Sequence, residues 1–433
     1  MKKKIINILI ITFISIQVQA QDIKDIEKKS VLNSVIDKID KIYPFPEVSE
    51  NTTIGLQTQI SNGMYDKISS QIEFASQVTS DLEEFSNDKH LDLIYDPELA
   101  IALIHDSESE DSGYTKEEAK IEVWNNYGFK ELSILDGNIG YLNLGVFFAT
   151  EYAGKTADVA MNFFSDCNGL IIDLRQNGGG WGDMVEYLLG YFIDIVEPLL
   201  INISQSTLDR SYYSSVVPGY VPGQKLTNIP IYILTSPTTA SAAEAFTTHI
   251  KYFNKNVTIV GNKTAGAENP VDHVAINNNF VLQIPSWKRV YSRNPNVWEG
   301  IGIEPDIEVD AEDAKKVAHI LVLEKLIDGT KDKIILAKYH WALDSLHANY
   351  ENINIENIDK YVGNYDNIRI INKSNKLYYQ YKERPFKQLI PISNDYFIVE
   401  EVDYYRLKFI NDNGETKLKQ ILSFGSVREY SKE

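Results

Sequence analysis

The stretch Ile229–Glu244, IPIYILTSPTTASAAE, constrains this chain more than any other. It opens as a β-branched and aromatic run, Ile229 to Leu234, breaks at Thr235-Ser236-Pro237, and restarts at Ser241 with a helical period. Ala242, Ala245, Phe246, Ile250 and Phe253 then share one apolar face. A buried strand that turns directly into a helix leaves Ser241 on a rigid corner. The unpaired N–H groups of the first helical turn lie beside it and can receive an oxyanion. Serine is equally favoured at such a position as a plain helix N-cap. The corner therefore suits a nucleophile but does not require one.

The same alternation extends on both sides. Ile139–Leu144, Leu170–Leu174, Ile229–Leu234 and Val257–Val260 read as strands, and Ala153–Phe164, Met184–Ile193 and Ala242–Phe253 as helices. Strands alternating with helices predict an α/β core with a mostly parallel sheet. Hairpin-like strands, Val274–Asn277 and Phe280–Ile284, follow, then helices over Ala311–Ile327 and Lys333–His347. Upstream the period is helical. Val31, Val35, Ile36, Ile39 and Ile42 stop at Pro44 and Pro46, and two further amphipathic stretches cover Thr53–Met64 and Ile68–Phe85. From Ile355 onward, short Tyr-, Ile- and Phe-rich strands separated by Gly and Asn turns predict a small antiparallel β-barrel or sandwich. The expected organisation is a leader at 1–20, a helical domain at 21–126, an α/β core at 127–312, a helical connector at 313–349 and a β domain at 350–433.

With 433 residues, 43% of them hydrophobic, the chain has ample material for packed cores. Its formal charge of −19, without basic clusters, argues against nucleic-acid binding and against anionic membrane surfaces. Lys2–Lys4, the apolar run Ile5–Val18 and the small residues Val18 and Ala20 read as a secretory signal cleaved after Ala20. The mature protein is expected to be exported, periplasmic or secreted. A single cysteine, Cys167, excludes an internal disulfide and makes thiolate catalysis or a cysteine-based zinc site a poor reading. No HExxH, carboxylate cluster or paired-histidine spacing points to a metal, and no cofactor is expected.

A second motif completes the pattern. In Ile171-Ile172-Asp173-Leu174-Arg175-Gln176-Asn177-Gly178-Gly179-Gly180, a buried strand opens into a glycine loop. The loop lacks a Walker lysine and the GxGxxG spacing, so phosphate binding does not follow. Glycines can also bring backbone N–H groups close to a developing oxyanion.

Taken together these motifs resemble peptidase family S41, in its branch of tricorn-core and interphotoreceptor retinoid-binding protein-like enzymes. The matching pieces, in order, are Asp88-Lys89-His90-Leu91, Ile139-Gly140-Tyr141-Leu142, Leu170–Gly180, Thr235–Glu244, Lys263–Ala267 and Trp298–Ile307. The resemblance implies a ClpP/crotonase-like layered sheet and a serine-type peptidase acting on peptides or unfolded proteins. It implies Ser241 as nucleophile, His90 as general base, Glu299 as distal carboxylate, and the N–H groups of Gly178 or Gly179 and Ala242 as oxyanion hole. Two departures stand out. The family's processing proteases carry a lysine base twenty-five residues after the serine, where this chain has Gly266, and the serine that precedes the histidine in the tricorn arrangement is Lys89 here. There is also no room for a PDZ domain before Ile139. The alternative reading is a non-catalytic carrier of retinoid- or fatty-acid-like ligands on the same fold. Retention of Ser241, His90, the glycine loop and Glu299 together favours the enzyme.

Overall fold

The computed structural model describes residues 23–106, 120–348, 357–412 and 414–433. The predicted leader at 1–20 and the acidic stretch Ser107–Tyr114 lie outside the described residues. In chain order the elements begin α1 (Asp25–Ile42), α2 (Pro46–Ser61), α3 (Gln71–Ser86), β1 (Asp92–Tyr95) and α4 (Pro97–Asp106). Next come β2 (Phe129–Leu135), β3 (Ile139–Leu144), α5 (Thr150–Phe163), β4 (Gly169–Asp173), α6 (Gly182–Phe192), β5 (Leu199–Ser206) and β6 (Tyr212–Val217). They are followed by β7 (Ile231–Thr235), α7 (Ala242–Phe253), β8 (Val257–Gly261), β9 (Val271–Ala275), β10 (Phe280–Pro285), β11 (Trp287–Ser292) and β12 (Ile307–Glu308). Helices α8 (Ala314–Gly329) and α9 (Lys333–His347) precede eight strands, β13 (Gly363–Tyr365) to β20 (Val427–Ser431).

The chain divides into two units. Unit 1 comprises Met1–Gly113, Ser204–Tyr212 and Asn269–Lys288, and unit 2 the remainder. In unit 1 the apolar stripe of α1 (Val31, Leu32, Val35, Ile39) packs with Leu56, Phe74, Val78 and Leu82. Pro46 ends the first helical period and also starts α2 at its first turn, where a missing N–H costs nothing, so α2 begins earlier than its apolar pattern suggests. Ser70 caps α3, and Asn87, at φ 53°, closes it. The hairpin β9–β10, expected within 127–312, belongs to this unit. Strand β10 pairs antiparallel with β1 and puts Phe280, Leu282 and Ile284 into the helical core. Lys28 is buried here, its ammonium donating to the carbonyls of Tyr65 (2.9 Å), Asp66 (3.2 Å) and Ile68 (2.9 Å).

Unit 2 is built on a six-stranded sheet of order β12-β8-β7-β4-β3-β2. All its neighbours are parallel except the edge strand β2, which pairs antiparallel with β3. Strands β4 and β7 are buried throughout, as the continuous apolar runs require when both faces are covered. Their side chains alternate between two cores. Leu170, Ile172, Ile231 and Ile233 face Ala157, Met161, Leu188, Phe246 and Ile250 of α5, α6 and α7. Ile171, Tyr232 and Leu234 face Ala318, Val322 and Tyr339 of α8 and α9. The layered α/β core is therefore as expected.

The eight C-terminal strands form one antiparallel meander, each paired with its sequence neighbour. The Glu433 N–H donates to the Asn364 carbonyl (3.0 Å), drawing the chain end onto β13 and nearly closing a barrel. Tyr365, Ile370, Leu377, Phe397, Leu407 and Phe409 fill it. Among the tyrosines of these strands, Tyr379 and Tyr405 are buried, with their hydroxyls 3.1 Å apart, and Tyr404 is exposed. Arg406, only 2% exposed, ties the barrel to α9 by stacking on Trp341 and donating to Asp344 (3.1 Å).

Candidate active site

The corner between β7 and α7 is held from below by its own hydroxyls. Thr239 donates to the Leu174 carbonyl (2.8 Å) and accepts from the Ser236 N–H (3.0 Å), while Ser236 donates to the Arg175 carbonyl (2.5 Å). Both carbonyls belong to the residues that follow β4, so the serine corner and the glycine loop are stitched into one assembly. Ser241 sits at φ 52°, ψ −119°, a backbone region that a residue with a Cβ adopts only under strain. Its N–H donates to Glu244 (3.0 Å), three residues on.

Glu244 is a central support. It is fully buried, and its carboxylate accepts from the N–H groups of Ser241, Gly266 (2.7 Å) and Ala267 (2.8 Å) and from the Thr264 hydroxyl. Burial raises its pKa above the ordinary carboxylate value, and these donors oppose the rise. Sequence reading placed Glu244 in the motif without assigning it a task. The signal was its spacing of three from an N-cap serine.

Asn177 organises the glycine loop from full burial. Its side-chain amide donates to the Leu144 carbonyl (2.9 Å), its side-chain oxygen accepts the Gly179 N–H (2.8 Å), and its backbone carbonyl accepts the Ala240 N–H (3.1 Å). Gly179 lies at φ 120°, and a Cβ there would sit 2.8 Å from Ser241 Cβ and 3.1 Å from the Ala242 nitrogen. Only glycine fits so close to the serine corner. With the Gly179 N–H spent on Asn177, the N–H groups of the oxyanion-hole candidates that remain are those of Gly178 and Ala242, and neither donates a hydrogen bond among the described residues.

Glu299 follows the buried Trp298 in a turn that packs on the 264–268 loop. The Gly300 N–H donates to the Gly266 carbonyl (2.8 Å), and a Cβ on Gly266 would lie 2.8 Å from the Gly302 nitrogen. The Glu299 carboxylate accepts the Glu268 N–H at 2.6 Å. Glu299 is thus linked through the 264–268 loop to Glu244, and through Glu244 to Ser241, all within unit 2.

His90 belongs to unit 1. It follows α3 in a turn made by Asp88, whose carboxylate accepts the His90 N–H (2.9 Å) and the Tyr43 hydroxyl (2.6 Å). The imidazole Nδ1 is 3.8 Å from Asp88, too long for a hydrogen bond. Burial lowers the His90 pKa below its ordinary value, with the Asp88 charge opposing. Asp88 was legible only as part of a motif, and its use as an Asx turn holding His90 is a structural finding. Lys89 is exposed.

Asp173 accepts from Arg175 Nε (2.8 Å) and from the Tyr141 hydroxyl (2.7 Å) at the end of β4. Lys263 pairs with Glu304 at the surface (2.7 Å). His249 is buried against Phe253 and Trp298, His273 is exposed, and His319 contacts the Asp136 carbonyl through Nε2 (2.8 Å). Cys167 is buried, and burial raises its thiol pKa. Among the described residues, no helix is long and apolar enough to cross a membrane.

A layered sheet thus carries a strained serine at a strand-to-helix corner, with a glycine loop pressed against it. Residues 138–309 match the family model of peptidase family S41, and residues 19–123 match the model of the N-terminal domain of S41 peptidases in eukaryotic IRBP. The chain belongs to peptidase family S41. Membership of a peptidase family implies peptide or protein substrates. Similar solved structures include a candidate peptidase of Parabacteroides merdae, 19% identical, covering 70% of this chain and 99% of that one, with a TM-score of 0.47. A lipoprotein of Streptococcus agalactiae is 16% identical, with 69% and 96% coverage and a TM-score of 0.42. The tricorn protease is 13% identical, with 70% and 37% coverage and a TM-score of 0.42.

Proposed function

We propose that this chain is an exported serine-type peptidase that cleaves peptides or unfolded proteins through an acyl-enzyme on Ser241. The observation that carries the reading is the Ser241 corner. It combines a strained serine, a glycine that must be glycine beside it, and two unoccupied N–H groups, on Gly178 and Ala242. In this mechanism Ser241 Oγ attacks the scissile carbonyl carbon while His90 takes the hydroxyl proton. The Gly178 and Ala242 N–H groups hold the oxyanion. The carbon–nitrogen bond then breaks, and the amine leaves with the proton from His90. Water, deprotonated by the same imidazole, releases the acid and restores Ser241. A lowered His90 pKa favours the neutral imidazole that a base must present at neutral pH. Glu299 orients the histidine, and Gly266 at the lysine position of the processing proteases leaves His90 as the base.

A division into 21–126 with the β9–β10 hairpin, the rest of 127–312, a connector at 313–349 and a β domain at 350–433, and a leader cleaved after Ala20, are part of the same proposal. Labelling with a fluorophosphonate probe tests it. Wild type should label, and Ser241→Ala and His90→Ala should not. A wild type that neither labels nor cleaves unfolded protein sinks the enzyme reading and favours an apolar-ligand carrier, to be checked by solvent extraction and mass spectrometry.

A further inference from the structure

Glu268 and Arg289 are the residues at which the chain leaves unit 2 for Asn269–Lys288 and re-enters it. They form an ion pair at 2.7 Å, with the carboxylate largely buried. An ion pair closing the neck of an excursion would do no more than staple two strands, but Glu268 is engaged further. Its second carboxylate oxygen accepts the N–H of Trp298 (2.8 Å) and of Glu299 (3.3 Å), and its own N–H donates to the Glu299 carboxylate at 2.6 Å. The two glutamates therefore grip each other reciprocally, each through the other's backbone. Arg289 completes the arrangement. Its guanidinium lies 5.8 Å from the centroid of the Trp298 ring, and it donates to the Asn296 carbonyl (3.2 Å).

This network solves a charge problem. Two carboxylates joined in one hydrogen-bonded ring repel each other, and in a partly buried setting that repulsion is weakly screened. Arg289 supplies the compensating cation on Glu268, so Glu268 can stay in place and its backbone can hold the Glu299 carboxylate in a single orientation. We propose that the Glu268–Arg289 pair is a positioning device for Glu299. It fixes both the backbone on which Glu299 rides and the direction in which its carboxylate is held. Neither residue touches reacting atoms. The inference rests on Glu299 acting as the carboxylate that orients the base.

The test separates positioning from stapling. Arg289→Gln leaves Glu268 uncompensated beside Glu299. The double variant Glu268→Gln/Arg289→Gln removes the ion pair, yet leaves a side-chain oxygen to accept the Trp298 and Glu299 N–H groups. Arg289→Lys keeps the charge and guards against a glutamine variant that does not fold. The readouts are the rate of fluorophosphonate labelling at Ser241, kcat and KM on an unfolded-protein substrate, and the melting temperature. The expected result is labelling about tenfold slower in Arg289→Gln, with kcat reduced and KM kept, and recovery to within about threefold in the double variant. Arg289→Lys should stay within about threefold of wild type. A staple predicts instead that the double variant is no faster than Arg289→Gln, with rates following melting temperatures. That pattern, or a wild-type rate in Arg289→Gln, overturns the proposal while leaving Ser241 as nucleophile. An unlabelled wild type overturns the hydrolase reading itself and this inference with it.

Discussion

Gly179→Ala tests the geometry of the serine corner directly. The new Cβ would meet Ser241 Cβ at 2.8 Å, the Ala240 carbonyl oxygen at 3.1 Å and the Ala242 nitrogen at 3.1 Å. Two of these are backbone atoms, so relief requires moving the corner and not a flexible side chain. A φ of 120° also lies outside the range an alanine adopts without strain. Backbone strain of about 1–3 kcal/mol and overpacking of about 1–3 kcal/mol give a loss of about 3 kcal/mol in unit 2. The matching fall in melting temperature is about 5–10 °C. Gly178→Ala is the control, because a Cβ there meets nothing within 4 Å. It keeps its N–H and should stay within about 0.5 kcal/mol of wild type. Urea unfolding together with fluorophosphonate labelling reads both effects. Gly179→Ala should lose labelling and stability together, and Gly178→Ala should keep its stability. If Gly179→Ala melts and labels like wild type, the close approach of the two loops is wrong, and the oxyanion assignment goes with it.

Three further changes follow from the same supports. Ser241→Gly relieves a positive φ that glycine tolerates, so it should abolish labelling while raising stability by about 1 kcal/mol in chemical denaturation. Glu244→Ala strands four donors in a buried site and should cost about 4 kcal/mol, with Glu244→Gln recovering part of it through its one carbonyl oxygen. Burial depresses the His249 pKa from 6.5 to about 4, so the unfolded chain binds this proton first as pH falls. Between pH 6.5 and 4 the wild type should therefore lose about 3 kcal/mol that a His249→Phe variant retains, measured as the difference between their urea midpoints.

The α/β core was legible because strands covered on both faces must be apolar without interruption, and Leu170–Leu174 and Ile229–Leu234 are. Helix α7 begins where Ser241 and Glu244 announce it, and α9 spans the expected Lys333–His347. Less could be read where partners are distant in sequence. Nothing near Val271–Pro285 says that this hairpin completes the helical core through Asp92–Tyr95, since pairing is a property of two segments and not of either alone. The site divides in the same way. Ser241, the glycine loop and Glu299 carry local signatures. Asn177, Glu244, Asp88 and the Glu268–Arg289 pair are ordinary polar residues until the fold shows which backbone groups they satisfy.

The hairpin has a kinetic consequence. The helices α1 to α3 leave the ribosome early, but Phe280, Leu282 and Ile284, which cover part of their apolar surface, are made almost two hundred residues later. Until then Phe74, Leu82 and Leu93 lack a full lid. Bringing Asp92 and Gln283 together closes a loop whose entropic cost is about 5 kcal/mol, to be met before the contacts that offset it have formed. Unit 1 is thus first to begin and late to finish, with part of its apolar surface uncovered until Phe280, Leu282 and Ile284 are made.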